Sequence, residues 1–160
     1  MKPVHLLAVF AENKPDQLAR VTKELADASI NIHWVGIADM QRFGVIRFLL
    51  DKPDLGCEWL KQHGFTVSLV EVLAAEVEDR PGSLHRVASL LSENGISLNN
   101  CSGFVFKSRA ILILEVTELA RARQILLAEA GRRADRMAYV HHLDHGREPR
   151  RCRAHRRRCR

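Results

Sequence analysis

The feature that most limits what this chain can fold into is an internal repeat. Laid on a copy of itself so that Glu12 falls on Glu78, the sequence also pairs Pro15 with Pro81, Leu18 with Leu84, Arg20 with Arg86, Val21 with Val87, Leu25 with Leu91 and Ile30 with Ile96. Like chemistry recurs at Asn13 and Asp79, Lys14 and Arg80, Val45 and Ile111, Ile46 and Leu112, and Phe48 and Leu114. A register held without a gap over that span marks a duplicated unit of about 66 to 70 residues, so the fold must be one that such a unit can build twice.

The first unit reads as a strand over Val4 to Ala11 and then a helix in which Pro15 suits the first turn and Leu18, Val21, Leu25 and Ala28 form one apolar face. A hairpin follows, Ile30 to Ala38 and Phe43 to Leu50 around the polar turn Asp39 to Arg42. A short helix from Asp54 to His63 stops at Gly64, and Phe65 to Val72 closes the unit as a strand. The second unit repeats the order: Leu73 to Glu78, a helix from Pro81 to Asn94 stopped by Gly95, a hairpin of Ile96 to Phe106 with Ala110 to Val116, a helix from Glu118 to Ala130, and a last strand at Met137 to His142. The order βαββαβ, twice, predicts an α+β fold of two ferredoxin-like modules, residues 1–72 and 73–142, with antiparallel sheets covered by helices on one face and joined side by side into one larger sheet. Phe65 to Glu78 reads as one strand passing straight into the next, so the two modules are expected to form a rigid pair.

The formal charge of +6 belongs to the tail. From His141 to Arg160, Arg147, Arg150, Arg151, Arg153, Arg156, Arg157, Arg158 and Arg160 stand against Asp144 and Glu148, which leaves residues 1–140 at zero. A neutral body has no field to steer it to a polyanion, so nucleic acid is not an expected partner, and residues 143–160 are expected to be a disordered basic extension. Cys152, His155 and Cys159 sit in that tail at no zinc spacing and among arginines that oppose a cation. No apolar run approaches the length of a membrane-spanning helix and the N-terminus shows no signal-peptide cleavage pattern, from which a cytoplasmic protein with no membrane partner is expected. Two cysteines in the body, Cys57 and Cys101, make no disulfide framework.

The turn after each first strand reads Asn13-Lys14-Pro15-Asp16-Gln17-Leu18 and Asp79-Arg80-Pro81-Gly82-Ser83-Leu84. The second copy resembles the Asp/Asn-x-Pro-Gly-x-Leu turn of ACT domains, the regulatory modules of amino-acid metabolism. Together with Glu12-Asn13-Lys14 and Phe43-Gly44-Val45-Ile46-Arg47, the pattern is similar to small stand-alone tandem ACT proteins without a catalytic domain, and the resemblance covers about residues 4–142. It implies a free amino acid bound between neighbouring modules, lined by this turn of one and the start of the second strand of the other. Residue by residue, that implicates Asn13, Asn31, Asp79, Gly82 and Ser97, with Leu18 and Leu84 beneath, and Ser83 and Asn99 beside them. Elementary physics agrees: free amides and the dipole at a helix N-terminus suit a carboxylate, and Asn13 or Asp79 could meet the ammonium. A glycine at position 82 lets a ligand or partner backbone approach closely. Asp16 departs from the pattern and puts a negative charge where the first copy should have glycine. That favours one working site, the Gly82 turn with Asn31, while the Asn13 turn with Ser97 to Asn100 remains open. Taken singly, Asn13 and Asp79 also read as helix caps, Asn31 and Asn99 as ordinary strand-edge groups.

No catalytic constellation competes. His5, His33, His63 and His85 share no motif spacing, and there is no phosphate loop, nucleophile elbow or His-Glu-x-x-His. The expectation is a regulatory binding protein, not an enzyme, with no metal or cofactor, forming a homodimer and signalling to a partner such as an enzyme of amino-acid metabolism. The alternative is an oligomerisation or docking module without a working ligand site, for which Asp16 is the best support.

Overall fold

The computed structural model describes residues 4–12, 14–40, 43–106 and 109–132. Its elements are β1 (Val4–Glu12), α1 (Gln17–Asp27), β2 (Ile32–Met40), β3 (Phe43–Leu50), α2 (Pro53–Gln62), β4 (Thr66–Glu78), α3 (Ser83–Glu93), β5 (Leu98–Phe106), β6 (Arg109–Val116) and α4 (Leu119–Arg132). The offset that places Glu12 on Glu78 carries α1 onto α3, β2 onto β5 and β3 onto β6, bound for bound. The expected last strand, Met137 to His142, and the basic tail lie outside the described residues. Among the described residues no helix is long and apolar enough to cross a membrane.

Each first helix forms and stops for the same local reasons in both copies. Val21 and Leu25 of α1, and Val87 and Leu91 of α3, lie one helical turn apart on one face and are buried. After α1 the Ser29 amide bonds to the Ala26 carbonyl at 2.9 Å and the Ile30 amide reaches back to the Leu25 carbonyl at 2.9 Å. After α3 the Gly95 amide bonds to Ser92 at 2.9 Å and the Ile96 amide to Leu91 at 3.0 Å. This is the Schellman stop, in which the apolar residue past the end packs on the last turn. Leu25 shares a core cluster with Ile30, and Leu91 with Ile96, so the repeated identities at these positions are the motif itself. The left-handed residue the motif requires is Gly95 (φ 71°) in one copy and Ser29 (φ 54°) in the other.

The strands form one six-stranded antiparallel sheet in the order β2-β3-β1-β4-β6-β5. At its centre β4 serves both modules: Thr66 to Val72 pair with β1, and Leu73 to Glu78 pair with β6. Alternation along β4 then fixes the layers. Val67 and Leu69 point into the cluster under α1 and α2, and Leu73, Ala75 and Val77 into the cluster under α3 and α4, so both helix pairs cover one face of the sheet. The other face holds a third cluster with residues from all six strands, Leu6, Leu49, Val72 and Ile113 with Val4, Trp34, Val70 and Phe104 against them. No described helix covers this face; it is buried because the sheet curls on itself. The measure of the curl is that Arg47 of β3 meets Glu115 of β6, three places away in the strand order, with Nη2 at 3.5 Å from Oε2.

Candidate functional site

Both turns between a first strand and its helix adopt one backbone. Lys14 donates its amide to the Glu12 carbonyl at 2.8 Å, and Arg80 to Glu78 at 3.0 Å. The same residues pair through their side chains, Lys14 with Glu12 and Arg80 Nε with Glu78 Oε2 at 2.7 Å. The Glu12 carboxylate, by hydrogen bond and charge, holds the exposed Lys14 ammonium above its usual range. The residue entering the helix is left-handed in each copy, Asp16 at φ 77° and Gly82 at φ 87°, and neither gives the helix a side-chain cap. Asp79 is therefore not the helix cap; Gly82 holds that place instead. The Ser83 amide is taken by the Arg80 carbonyl at 3.2 Å, and the amides that follow it have no side chain of the cap residue over them, the condition that leaves them to water or to an anion.

Glycine at 82 has a reason within the chain itself. A Cβ built there meets nothing within 4 Å, so within one chain no close approach demands it; the positive φ does. Asp tolerates the left-handed region better than most residues, which is how the first copy keeps the same turn with a charged side chain at its mouth.

Behind the second turn, Ser83 is 4% exposed and its hydroxyl has no hydrogen-bond partner. Leu18 and Leu84, expected beneath a ligand, are 39% and 50% exposed. Asn13 lies outside the described residues. Asp16, Asp79, Gly82, Asn31, Ser97 and Asn99 are all exposed.

The starts of the second strands also share one construction. Asn31 donates its amide to Asp51 Oδ1 at 2.9 Å and its carbonyl accepts from the Asp51 amide at 3.1 Å. Ser97 does the same with Thr117, at 3.3 Å to Oγ1 and 3.1 Å from the amide. Immediately afterwards β2 breaks register between Ile32 and Trp34, and β5 between Leu98 and Asn100. A bulge at this place re-aims the inserted residue, His33 in one copy and Asn99 in the other. Sequence reasoning named Asn99 and passed over His33; the offset that pairs the two was the signal that could have found it.

Register shows how these parts are distributed. The first turn lies beside the beginning of β4, since Phe10 pairs with Thr66, and the second turn follows the end of β4. Both second-strand starts lie level with its middle, because Ile32 pairs with Leu50 beside the Leu49–Leu6–Val70 row and Leu98 pairs with Val116 just past the Leu114–Leu73 pair. Strand pairing within one chain therefore does not bring the Gly82 turn beside Asn31 or the first turn beside Ser97. Cys101, exposed on β5, has its thiol pushed up by desolvation and is no activated nucleophile. Among the described residues no group of three or more His, Cys, Asp or Glu is placed to hold a metal.

Known proteins share this geometry. A crystal structure of a Bacteroides thetaiotaomicron protein is similar at 27% identity and TM-score 0.76, covering 79% of this chain and 88% of that one. The regulatory subunit of aspartate kinase from Thermus thermophilus, in its ligand-free form, shares the fold at 12% identity and TM-score 0.60, over 80% of this chain and 93% of that one. Its counterpart from Thermus flavus does so at 13% identity and TM-score 0.59, over 82% and 93%. No protein with a curated description is similar enough in sequence to count as a match. The family described as an ACT domain pair matches residues 2–141, nearly the whole folded body with its duplicated turn and shared central strand. The chain belongs to the ACT domain-pair family.

Proposed function

We propose that the protein is a regulatory binding protein that takes a free amino acid at a boundary between ACT modules, with the Gly82 turn as its working half. The observation that carries this reading is the contrast between the turns: the second has an uncharged, glycine-capped helix start with the unpartnered Ser83 hydroxyl behind it, and the first has Asp16 at the same place. A ligand carboxylate is favoured at a helix N-terminus and disfavoured beside a fixed carboxylate. The exposed Leu84 beside the turn gives an apolar surface for a ligand's side chain or for the partner that closes the site.

A second copy of the chain is the partner that would set a second-strand start, Asn31 with His33, against that turn. The sheet ends in β2 and β5, and these edges carry exposed apolar side chains, Val35 and Ile37 on one and Val105 on the other. Uncovered edges of this kind favour strand-to-strand association. Occupancy would be read by an enzyme of amino-acid metabolism through the difference in affinity between two arrangements of the pair. That the fold neighbours named above include regulatory subunits of aspartate kinase supports this class of partner. A docking module without a working ligand site is the second reading, and Asp16 in the first turn favours it.

The test is a thermal-shift screen of the full chain against the standard L-amino acids. A true ligand at about 100 times its dissociation constant stabilises by about 2.7 kcal/mol, and Gly82→Val removes that gain. A chain that no amino acid stabilises, but that holds a protein partner tightly, supports the docking reading.

A further inference from the structure

The two second-strand starts are built alike but charged differently. Each is held by the residue just past the next strand: Asp51, after β3, takes the Asn31 amide on Oδ1, and Thr117, after β6, takes the Ser97 amide on Oγ1. A hydroxyl does this work in module 2, so the backbone asks only for a hydrogen-bond acceptor and the charge of Asp51 is surplus to it. Among the described residues Asp51 Oδ2 takes no hydrogen bond and the carboxylate makes no ion pair. The neighbouring cation is committed elsewhere, since Lys52 donates from Nζ to the Ser29 carbonyl at 3.0 Å, at the stop of α1. In module 2 the carboxylate next to Thr117 is that of Glu118, and it is taken by Arg121 of the following helix at 3.3 Å. Asp51 is half-buried, and a carboxylate partly withdrawn from water attracts a counter-charge more strongly than a fully solvated one.

This difference bears on the reading of the Gly82 turn proposed above, on which the inference rests. A ligand shifts an equilibrium between two arrangements only through contacts that differ between them. If one turn met both charges of an amino acid, binding would be indifferent to whatever stands across the boundary. With the carboxylate at the Gly82 turn, the ammonium has to be met from the other side, and Asp51, locked beside Asn31, is the carboxylate that side offers without a partner. The opposite pairing, the Asp16 turn with the Ser97 start, sets a fixed carboxylate where the ligand's own would go and the neutral Thr117 hydroxyl where its ammonium would go. The contrast between the turns and the contrast between the strand starts therefore favour one and the same pairing, module 2 of one chain with module 1 of another.

We infer that Asp51 is the residue that binds the ligand's ammonium group, with Oδ1 kept on the Asn31 amide and Oδ2 turned to the ligand. It makes the site selective for a primary ammonium over a hydroxyl on the same carbon. It also makes occupancy depend on the module across the boundary, which is what a regulatory readout requires.

The experiment is calorimetric titration of the full chain with each standard L-amino acid and, for the tightest binder, with the 2-hydroxy acid of the same side chain. It is repeated on Asp51→Asn, Asp51→Thr, Asp79→Asn and Gly82→Val. Asp51→Asn keeps an oxygen for the Asn31 amide and Asp51→Thr copies module 2, so both retain the acceptor that the fold uses. The native chain should prefer the amino acid to its hydroxy analogue by about 100-fold, the scale of a charged hydrogen bond, and both Asp51 variants should bring that preference to within about threefold by weakening the amino acid alone. Asp79→Asn, which removes the carboxylate of the turn itself, should leave the preference intact. A preference that survives in both Asp51 variants overturns the inference, and one lost in Asp79→Asn instead moves the ammonium to the turn and overturns it too. In either case, loss of amino-acid binding in Gly82→Val still upholds the turn, whereas a native chain that binds no amino acid ends the turn and the role of Asp51 together.

Discussion

The first helix of each module is bracketed by two left-handed residues, and the modules solve that requirement differently. In module 2 they are Gly82 and Gly95; in module 1, at the same places, they are Asp16 and Ser29. The Schellman stop and the strand-to-turn ion pair around them are copied. The backbone of this turn is therefore kept in both copies, whereas the residue at its mouth differs between them. Module 2 keeps the sterically cheapest residue, and module 1 accepts local strain for a charge at position 16.

The equivalence of the modules meets its most severe test in the core. Leu25 and Leu91 are equivalent and both fully buried, so Leu25→Ala and Leu91→Ala should each cost about 2 to 5 kcal/mol in urea unfolding. Because β4 belongs to both modules, each variant should still unfold in one transition seen alike by circular dichroism and tryptophan fluorescence; two separated transitions would mean the modules are energetically independent. A smaller effect is expected at the glycines, where Gly82→Ala and Gly95→Ala should lose about 1 to 2 kcal/mol each by forcing a Cβ into the left-handed region. Equal melting points for native and variant would show that the turn relaxes out of that conformation. The smallest effect probes the contrast from the other side: Ser29→Gly should raise stability by up to about 1 kcal/mol, and Asp16→Gly by less because Asp tolerates positive φ. A loss at either position would assign the native side chain a contact that outweighs its strain.

Much of the fold was legible because its signals are local. The periodicity of Val21 and Leu25, the glycine stops and the hairpin strand Phe43 to Leu50 each follow from a few neighbouring residues, and the repeat tested every reading twice. Boundaries shifted where a local signal served another purpose: Ile30 and Ile96 read as strand residues because they are apolar, yet they close the helix stops, and the strands begin just after them. The candidate site was legible only in part. Asp16 and Gly82 announce the turn, but the positive φ they share is seen only in the structure, and His33 became visible only through the bulge that it shares with Asn99.

The duplication, the order of elements and the ACT character of the second turn are written in the chain itself, since they depend on spacing and on residues close together along it. The run of Phe65 to Glu78 as one strand was equally plain there. Three-dimensional packing was needed to curl the sheet around that strand until Arg47 meets Glu115, to set Trp34 against the cluster on the resulting face, and to bury the Ser83 hydroxyl without a hydrogen-bond partner. Those outcomes depend on which side chains from distant strands come to share a volume, and that is settled by the twist and packing of the whole sheet.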